Sequence, residues 1–239
     1  LLFADPHMKI TSQFHDLVMA IYQHLADVPQ DKLSRALTQA DLAHWIWHGA
    51  GFCSPFKISF KMDIPFDLRP QLFLLPDELS DDAKLEQFFL KSGVRSKFSE
   101  DDIISVLPAL KQKHETPDVD TADIEKDLKL CRSILEWLEG KRLSESMKEN
   151  LLFPTESEEN ILVLQHYKDC AYCDADWLRR EESLLDSHDS YPLIHNSVPT
   201  KIAVSLGVPK LSSCLLSAES LDFDLGIEKS GPSEPITKR

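Results

Sequence analysis

The sequence predicts an α+β fold: amphipathic helices joined by short antiparallel β-hairpins, laid out as two similar halves. Three observations carry this prediction. Apolar residues recur at steps of three and four, as in Phe14, Leu17, Val18, Ile21, Tyr22 and Leu25, which share one helical face. Bulky β-formers gather around glycine or polar turns at Trp45 to Phe52 and again at Leu151 to Leu164. The order of signals then recurs, because Leu128 follows Phe14, and Gly207-Val208 follows Gly93-Val94, by 114 residues.

In chain order, Thr11 or Ser12 caps a first helix that Pro29 halts, and a short helix follows from Asp31 to Gln39. Trp45-Ile46-Trp47-His48-Gly49-Ala50-Gly51-Phe52 reads as strand, turn and strand. Phe56, Ile58, Phe60 and Met62 alternate with Lys57, Ser59 and Lys61, the period-two mark of a half-buried strand assigned to the same hairpin. Asp81 to Ser92 turns Leu85, Phe88 and Phe89 inward and ends at Gly93, which suits a left-handed helix cap. Ser99 with Glu100, Asp101 and Asp102 caps a helix whose buried side is Ile103, Ile104, Val106, Leu107 and Leu110, and Pro108 kinks or ends it.

Lys111 to Asp120 is polar with one proline and reads as a linker. The second half opens with a helix from Thr121 carrying Ile124, Leu128, Cys131, Leu135 and Leu138, and stops at Gly140. A short helix from Ser144 to Glu149, a hairpin over Leu151–Phe153 and Ile161–Leu164, and a helix near Pro199 to Leu206 follow. Trp45 and Trp47 are expected to pack the first hairpin, and Trp137 and Trp177 the second half. The expected organisation is a helix–hairpin–helix subdomain over 1–112, a second over 113–216 and a connector over 217–239.

The 239 residues carry 26 Lys and Arg against 40 Asp and Glu, a formal charge of −14 with no basic patch, which disfavours nucleic-acid binding. The longest apolar run, Leu17 to Tyr22, is six residues, far short of the about 20 a membrane span requires. The start at Leu1-Leu2-Phe3 lacks Met and signal-peptide features, and the end at Thr237-Lys238-Arg239 follows an apolar Ile236. The chain therefore reads as a piece of a longer polypeptide. Five scattered cysteines fit a reducing, cytoplasmic compartment better than a disulfide-stapled one.

Residues that could carry chemistry are few. Only Gly49-Ala50-Gly51 approaches a phosphate-binding loop, and it lacks a third glycine and a Lys-Ser/Thr pair, so a tight turn is the reading. Cys170 and Cys173 have the spacing of two zinc ligands, with His166 and His188 as further donors, but no second Cys-x-x-Cys exists. Buried small thiols are the plainer reading. His44 and His48 share a face without the Glu of a zinc protease or a third ligand. No Gly-x-Ser-x-Gly elbow occurs, and the acidic clusters Asp81-Asp82, Glu100 to Asp102 and Glu158-Glu159 sit where helix starts or a turn explain them. No residue is assigned a catalytic, cofactor-binding or metal role. The chain is expected to be non-enzymatic, with a zinc-supported interaction module (Cys170, Cys173, His166) and a cryptic hydrolase as rivals.

Several strings occur together in order: Trp45 to Phe52 with Ser54-Pro55, Leu74-Leu75-Pro76-Asp77-Glu78-Leu79, Leu90 to Val94, Cys170 to Leu178, and Ser205 to Leu211. Together they resemble the sacsin family of giant multidomain co-chaperones, in the non-ATPase part of one large internal repeat. The tail Gly231 to Arg239 resembles the lead-in to the next repeat's ATPase-like module. The resemblance implies a cytoplasmic co-chaperone that works with the seventy-kilodalton heat-shock chaperone, engages the proteasome through other modules, and acts on intermediate-filament and mitochondrial organisation. It implies contacts with the adjacent ATPase-like modules and with filament clients as protein partners. The ATPase-like module's nucleotide-binding features are not visible in these residues, so no site residue is carried over.

Overall fold

The computed structural model describes residues 12–39, 43–116, 120–156, 161–175 and 192–214. The fold is α+β, with helices, two antiparallel strand pairs and one small parallel sheet. The chain divides into two compact units, Leu1–Ala109 and Leu110–Arg239.

In the first unit, α1 (Ser12–Leu25) leads through a turn and Pro29 into α2 (Gln30–Gln39). The predicted cap at Thr11 lies outside the described residues. Phe14, Val18 and Tyr22, four residues apart, form the buried stripe of α1, whereas Leu17 is 45% exposed, so the buried face is narrower than predicted. β1 (Ile46–Trp47) and β2 (Phe52–Cys53) form an antiparallel hairpin closed by Gly49 at φ +97° and a His48 N–H to Gly51 C=O bond. The tight-turn reading of Gly49 to Gly51 stands.

The alternating run that follows is a strand, β3 (Ile58–Lys61), but it does not extend that hairpin. It is the centre of a parallel sheet between β4 (Phe73–Leu74) and β5 (Arg95–Lys97). Periodicity reports which face is buried and says nothing about the partner strand, and here the partners lie far along the chain. After β4, α3 (Asp77–Ser80) and α4 (Ala83–Lys91) carry the chain across to β5 on the other side of β3. The helix predicted from Asp81 starts at Ala83, where Asp82 accepts the N–H groups of Lys84 and Leu85. It ends as predicted at Gly93, φ +98°, with the Gly93 N–H on Leu90 C=O and the Val94 N–H on Phe89 C=O.

α1, the hairpin and α4 meet in one core that also holds Leu33, Ile58, Leu75, Leu79 and Val94. Tyr22 packs edge-on against Phe89 and Trp45 against Phe88. At its centre the Tyr22 hydroxyl donates to Trp45 C=O (2.7 Å) and accepts the Trp47 N–H (2.8 Å), tying α1 to the hairpin.

α5 (Glu100–Ile104), capped by Ser99 and Asp102, is separated by Ser105 from α6 (Val106–His114). The break at Ser105 follows Ile104, four residues before Pro108, because proline has no N–H for Ile104 C=O, and it leaves Pro108 in the tolerated first turn of α6. Helix α6 runs on to His114, so the first four residues of the predicted linker are helical.

The second unit holds α7 (Thr121–Leu138), α8 (Glu145–Glu149), β6 (Leu152–Thr155), β7 (Val163–His166) and α9 (Thr200–Ser205). Cys131, Ile134, Leu135 and Leu138 bury one side of α7, with Ile124 and Leu128 half-buried. β6 and β7 pair antiparallel as the predicted second hairpin. Beyond it, Ala171 bridges Leu193 and Tyr172 bridges Lys210, both in parallel. The order in each unit is therefore long helix, shorter helix, antiparallel hairpin, single 3-10 turn, a central extended segment flanked by two parallel partners, and a helix ended by glycine. Gly207, φ +74°, repeats the Gly93 ending, with its N–H on Val204 C=O and the Val208 N–H on Ala203 C=O. The two halves are alike, as the 114-residue interval between Gly93 and Gly207 predicts.

Candidate functional site

Cys170, Cys173 and His166, the residues of the rival zinc reading, do not converge. The segment Cys170 to Cys173 is extended, so sulfurs three residues apart fall on opposite faces. The Cys170 thiol donates back to His166 C=O (3.3 Å) and the Cys173 thiol forward to Ala175 C=O (3.2 Å). His166 Nδ1 accepts the Lys168 N–H, so Nε2 carries the proton and donates to Lys148 C=O (3.1 Å). Neither ring nitrogen offers zinc a lone pair. Burial pushes the Cys170 thiol up to about 12, away from the thiolate that zinc needs. Among the described residues no group of three His, Cys, Asp or Glu side chains is placed to hold a metal ion. His188 lies outside them.

The ingredients of a hydrolase are present but separated. His195 Nδ1 faces Ser197 Oγ at 2.8 Å, yet the same nitrogen accepts the Ser197 N–H, which makes this a local turn two residues long. His114 Nε2 meets Asp127 Oδ2 at 2.9 Å, and that oxygen also accepts from Lys113 Nζ at 2.8 Å. The His114 and Asp127 side chains are 3% and 4% exposed. They join α6 to α7 in a sealed polar contact. The acidic clusters serve as expected: Asp82 caps α4, and Asp102 accepts from Ser99 and pairs with Arg95 at 3.0 Å. Glu158 and Glu159 lie outside the described residues. His44 is exposed and His48 half-buried, the latter stacked on Phe73 with ring centroids 3.8 Å apart.

That stacking opens on a feature the sequence reading missed. The loop 62–72 from β3 to β4 is anchored by buried Leu68 and Leu72 and wraps a cavity of about 500 Å3. His48, Met62, Ile64, Phe66, Arg69 and Phe73 line it. Burial, with Arg69 near by, holds His48 below its ordinary pKa, so the imidazole is neutral at pH 7. Within the lining Arg69 forks onto Asp67, with Nη2 to Oδ2 at 2.7 Å. The one lining acid, Asp67, has its base, and Met62, Ile64, Phe66, Leu72, Phe73 and Leu74 make most of the lining apolar. Such a cavity suits an uncharged side chain. The signal for it in the sequence was the continuation of period-two apolar residues past the strand, through Met62, Ile64 and Phe66, into a proline-bounded loop.

The fold is a two-unit α+β arrangement whose first unit carries this mainly apolar cavity. Over 229 residues the chain is 28% identical to Sacsin of Homo sapiens, a match covering 95% of this chain and 5% of that protein. The sacsin resemblance read from the residue strings therefore extends over nearly the whole chain, which spans a small part of its relative's length. No family model matches. No solved structure matches. No helix among the described residues is long and apolar enough to cross a membrane.

Proposed function

We propose that this chain is a non-enzymatic scaffold and partner-interaction segment of a sacsin-like co-chaperone of the cytoplasm. The observation that carries the reading is the end-to-end likeness to 5% of a giant chaperone-related protein. A segment of that kind contributes by holding neighbouring ATPase-like modules in position and by contacting protein clients. Rigidity comes from packing: α1, the first hairpin and α4 share one apolar core in the first unit, and α7 buries one side in the second. Cooperation with the seventy-kilodalton heat-shock chaperone, the proteasome and intermediate-filament clients belongs to the parent protein as a whole. The test is deletion of these residues from the parent protein, followed by refolding of a denatured client together with the seventy-kilodalton chaperone. Loss of refolding with the ATPase-like modules still folded supports the reading; undiminished refolding and unchanged suppression of filament-protein aggregation refute it.

A further inference from the structure

We infer that the open edge of β4 is a docking site for an extended, uncharged, apolar peptide segment of a partner protein, which adds to the sheet as an antiparallel strand. The inference deepens the partner-interaction reading and rests on it for biological meaning, though not for its test.

The argument starts from hydrogen-bond direction. Leu75 N–H donates to Ser59 C=O (2.8 Å), so Phe73 and Leu75 face β3, and by alternation the N–H and C=O of Leu74 face the other side. β4 is a sheet edge there, and Leu74 is 45% exposed. The opposite edge is guarded. Its strand β5 reads Arg95-Ser96-Lys97, all exposed, with both cations held in ion pairs. Charged edges of this sort repel strand addition, and β4 has no such guard.

The second unit shows what fits. There Ile194 N–H donates to Ala171 C=O as Leu75 does to Ser59, so Leu193 occupies the place of Leu74. Its outward edge is covered by β6: Thr155 bridges Ile194 antiparallel, Glu156 N–H donates to Leu193 C=O, and His195 N–H donates to Pro154 C=O, both at 2.8 Å. The covering strand is buried Leu152-Phe153-Pro154-Thr155. Among the described residues no strand covers the corresponding edge in the first unit. In place of His195 stands Pro76, which has no N–H, so pairing there is confined to the N–H and C=O of Leu74. Beside it lies the cavity of about 500 Å3, lined mainly by apolar residues, with its one cation, Arg69, paired to its one acid, Asp67. An extended backbone satisfies Leu74, and an aliphatic or aromatic side chain fills the cavity.

The test is fluorescence anisotropy of a labelled acetyl-Ser-Val-Leu-Val-Ser-amide with the 239-residue chain. Saturable binding is expected. Leu74→Pro removes the outward N–H where an edge strand tolerates proline, and should weaken binding at least about tenfold with little change in melting temperature. Ser96→Pro on the guarded edge should leave binding unchanged. N-methylation of either of two adjacent central peptide residues tests strand pairing on intact protein, so it decides the matter if Leu74→Pro fails to fold. Only one of the two positions should weaken binding, because only alternate N–H groups face β4. No binding at millimolar peptide, equal effects of the two N-methyl groups, or full binding by folded Leu74→Pro would each overturn the proposal. Peptide binding without a refolding defect on deletion would instead refute the co-chaperone reading and leave this site standing.

Discussion

Replacing Tyr22 by Phe removes one oxygen and disarms two buried backbone groups. The hydroxyl bridges Trp45 C=O and the Trp47 N–H at 2.7 and 2.8 Å, and those residues are 3% and 4% exposed. Burial drives the phenol far above its ordinary range, so it stays protonated and keeps donating at any working pH. The Phe ring retains the edge contact with Phe89, and only the polar bridge is lost. Leaving a buried donor or acceptor unmatched costs about 1–3 kcal/mol, so two such groups predict a loss of about 2–6 kcal/mol. The chain has two compact units that can open in separate steps, so the readout is local: native-state hydrogen exchange of amides 46–53. Exchange should quicken by about 30-fold to about 20,000-fold, at about 1.4 kcal/mol per decade. A change below about threefold, with the fold intact, would refute the view that this hydroxyl fastens α1 to the hairpin.

Three further outcomes follow from the same geometry. Trp45→Ala and Trp47→Ala should each destabilise the first unit by about 3–5 kcal/mol, and an unchanged melting temperature in both would contradict their burial. Cys53, Cys131 and Cys170 are buried and their thiols are pushed up to about 12 by burial, so iodoacetamide at pH 8 should alkylate half-buried Cys173 and Cys214 first in a mass-spectrometric time course. His48 is held below the ordinary value of 6.5 by burial and Arg69, so the unfolded chain takes up its proton more readily. The stability contributed by neutral His48 is present above pH 6.5 and is lost as pH falls below it; His48→Phe should flatten the fall in urea midpoint between pH 7.5 and 5.5, and parallel curves would contradict this.

Local signals are legible where one element explains itself. Leu85, Phe88, Phe89 and Gly93 announce α4 and its ending, because helical spacing and a left-handed cap are written in adjacent residues. Strand β3 is legible as a strand but not as the centre of a parallel sheet. Its partners are two residues at Phe73-Leu74 and a charged triplet at Arg95 to Lys97, neither of which carries an apolar alternation. Tyr22 reads only as part of an apolar face, since its hydroxyl acts on backbone groups of a hairpin that lies well beyond α1 in the chain. The Cys-x-x-Cys spacing suggests zinc, and the extended backbone separates the sulfurs while hydrogen bonds occupy both nitrogens of His166. Trp177, expected to pack the second half, lies outside the described residues, and Trp137 is half-buried beneath the Lys141 ammonium.

The two halves argue by comparison in a way neither does alone. Both end a helix with glycine in the left-handed region, yet a Cβ on Gly93 would sit 3.1 Å from the exposed Phe56 ring, whereas one on Gly207 would meet nothing within 4 Å. Both place an extended segment between two parallel neighbours, yet the outer neighbour is covered by β6 in one half and by no described strand in the other. A strand that has lost, or never acquired, its covering partner exposes unpaired backbone groups, and a fold tolerates that only on a short edge. β4 is two residues long and is bounded by Pro76, which limits indiscriminate pairing while leaving the groups of Leu74 available. Differences of this kind, set against a shared scaffold, mark where the first half can receive something that the second half supplies to itself.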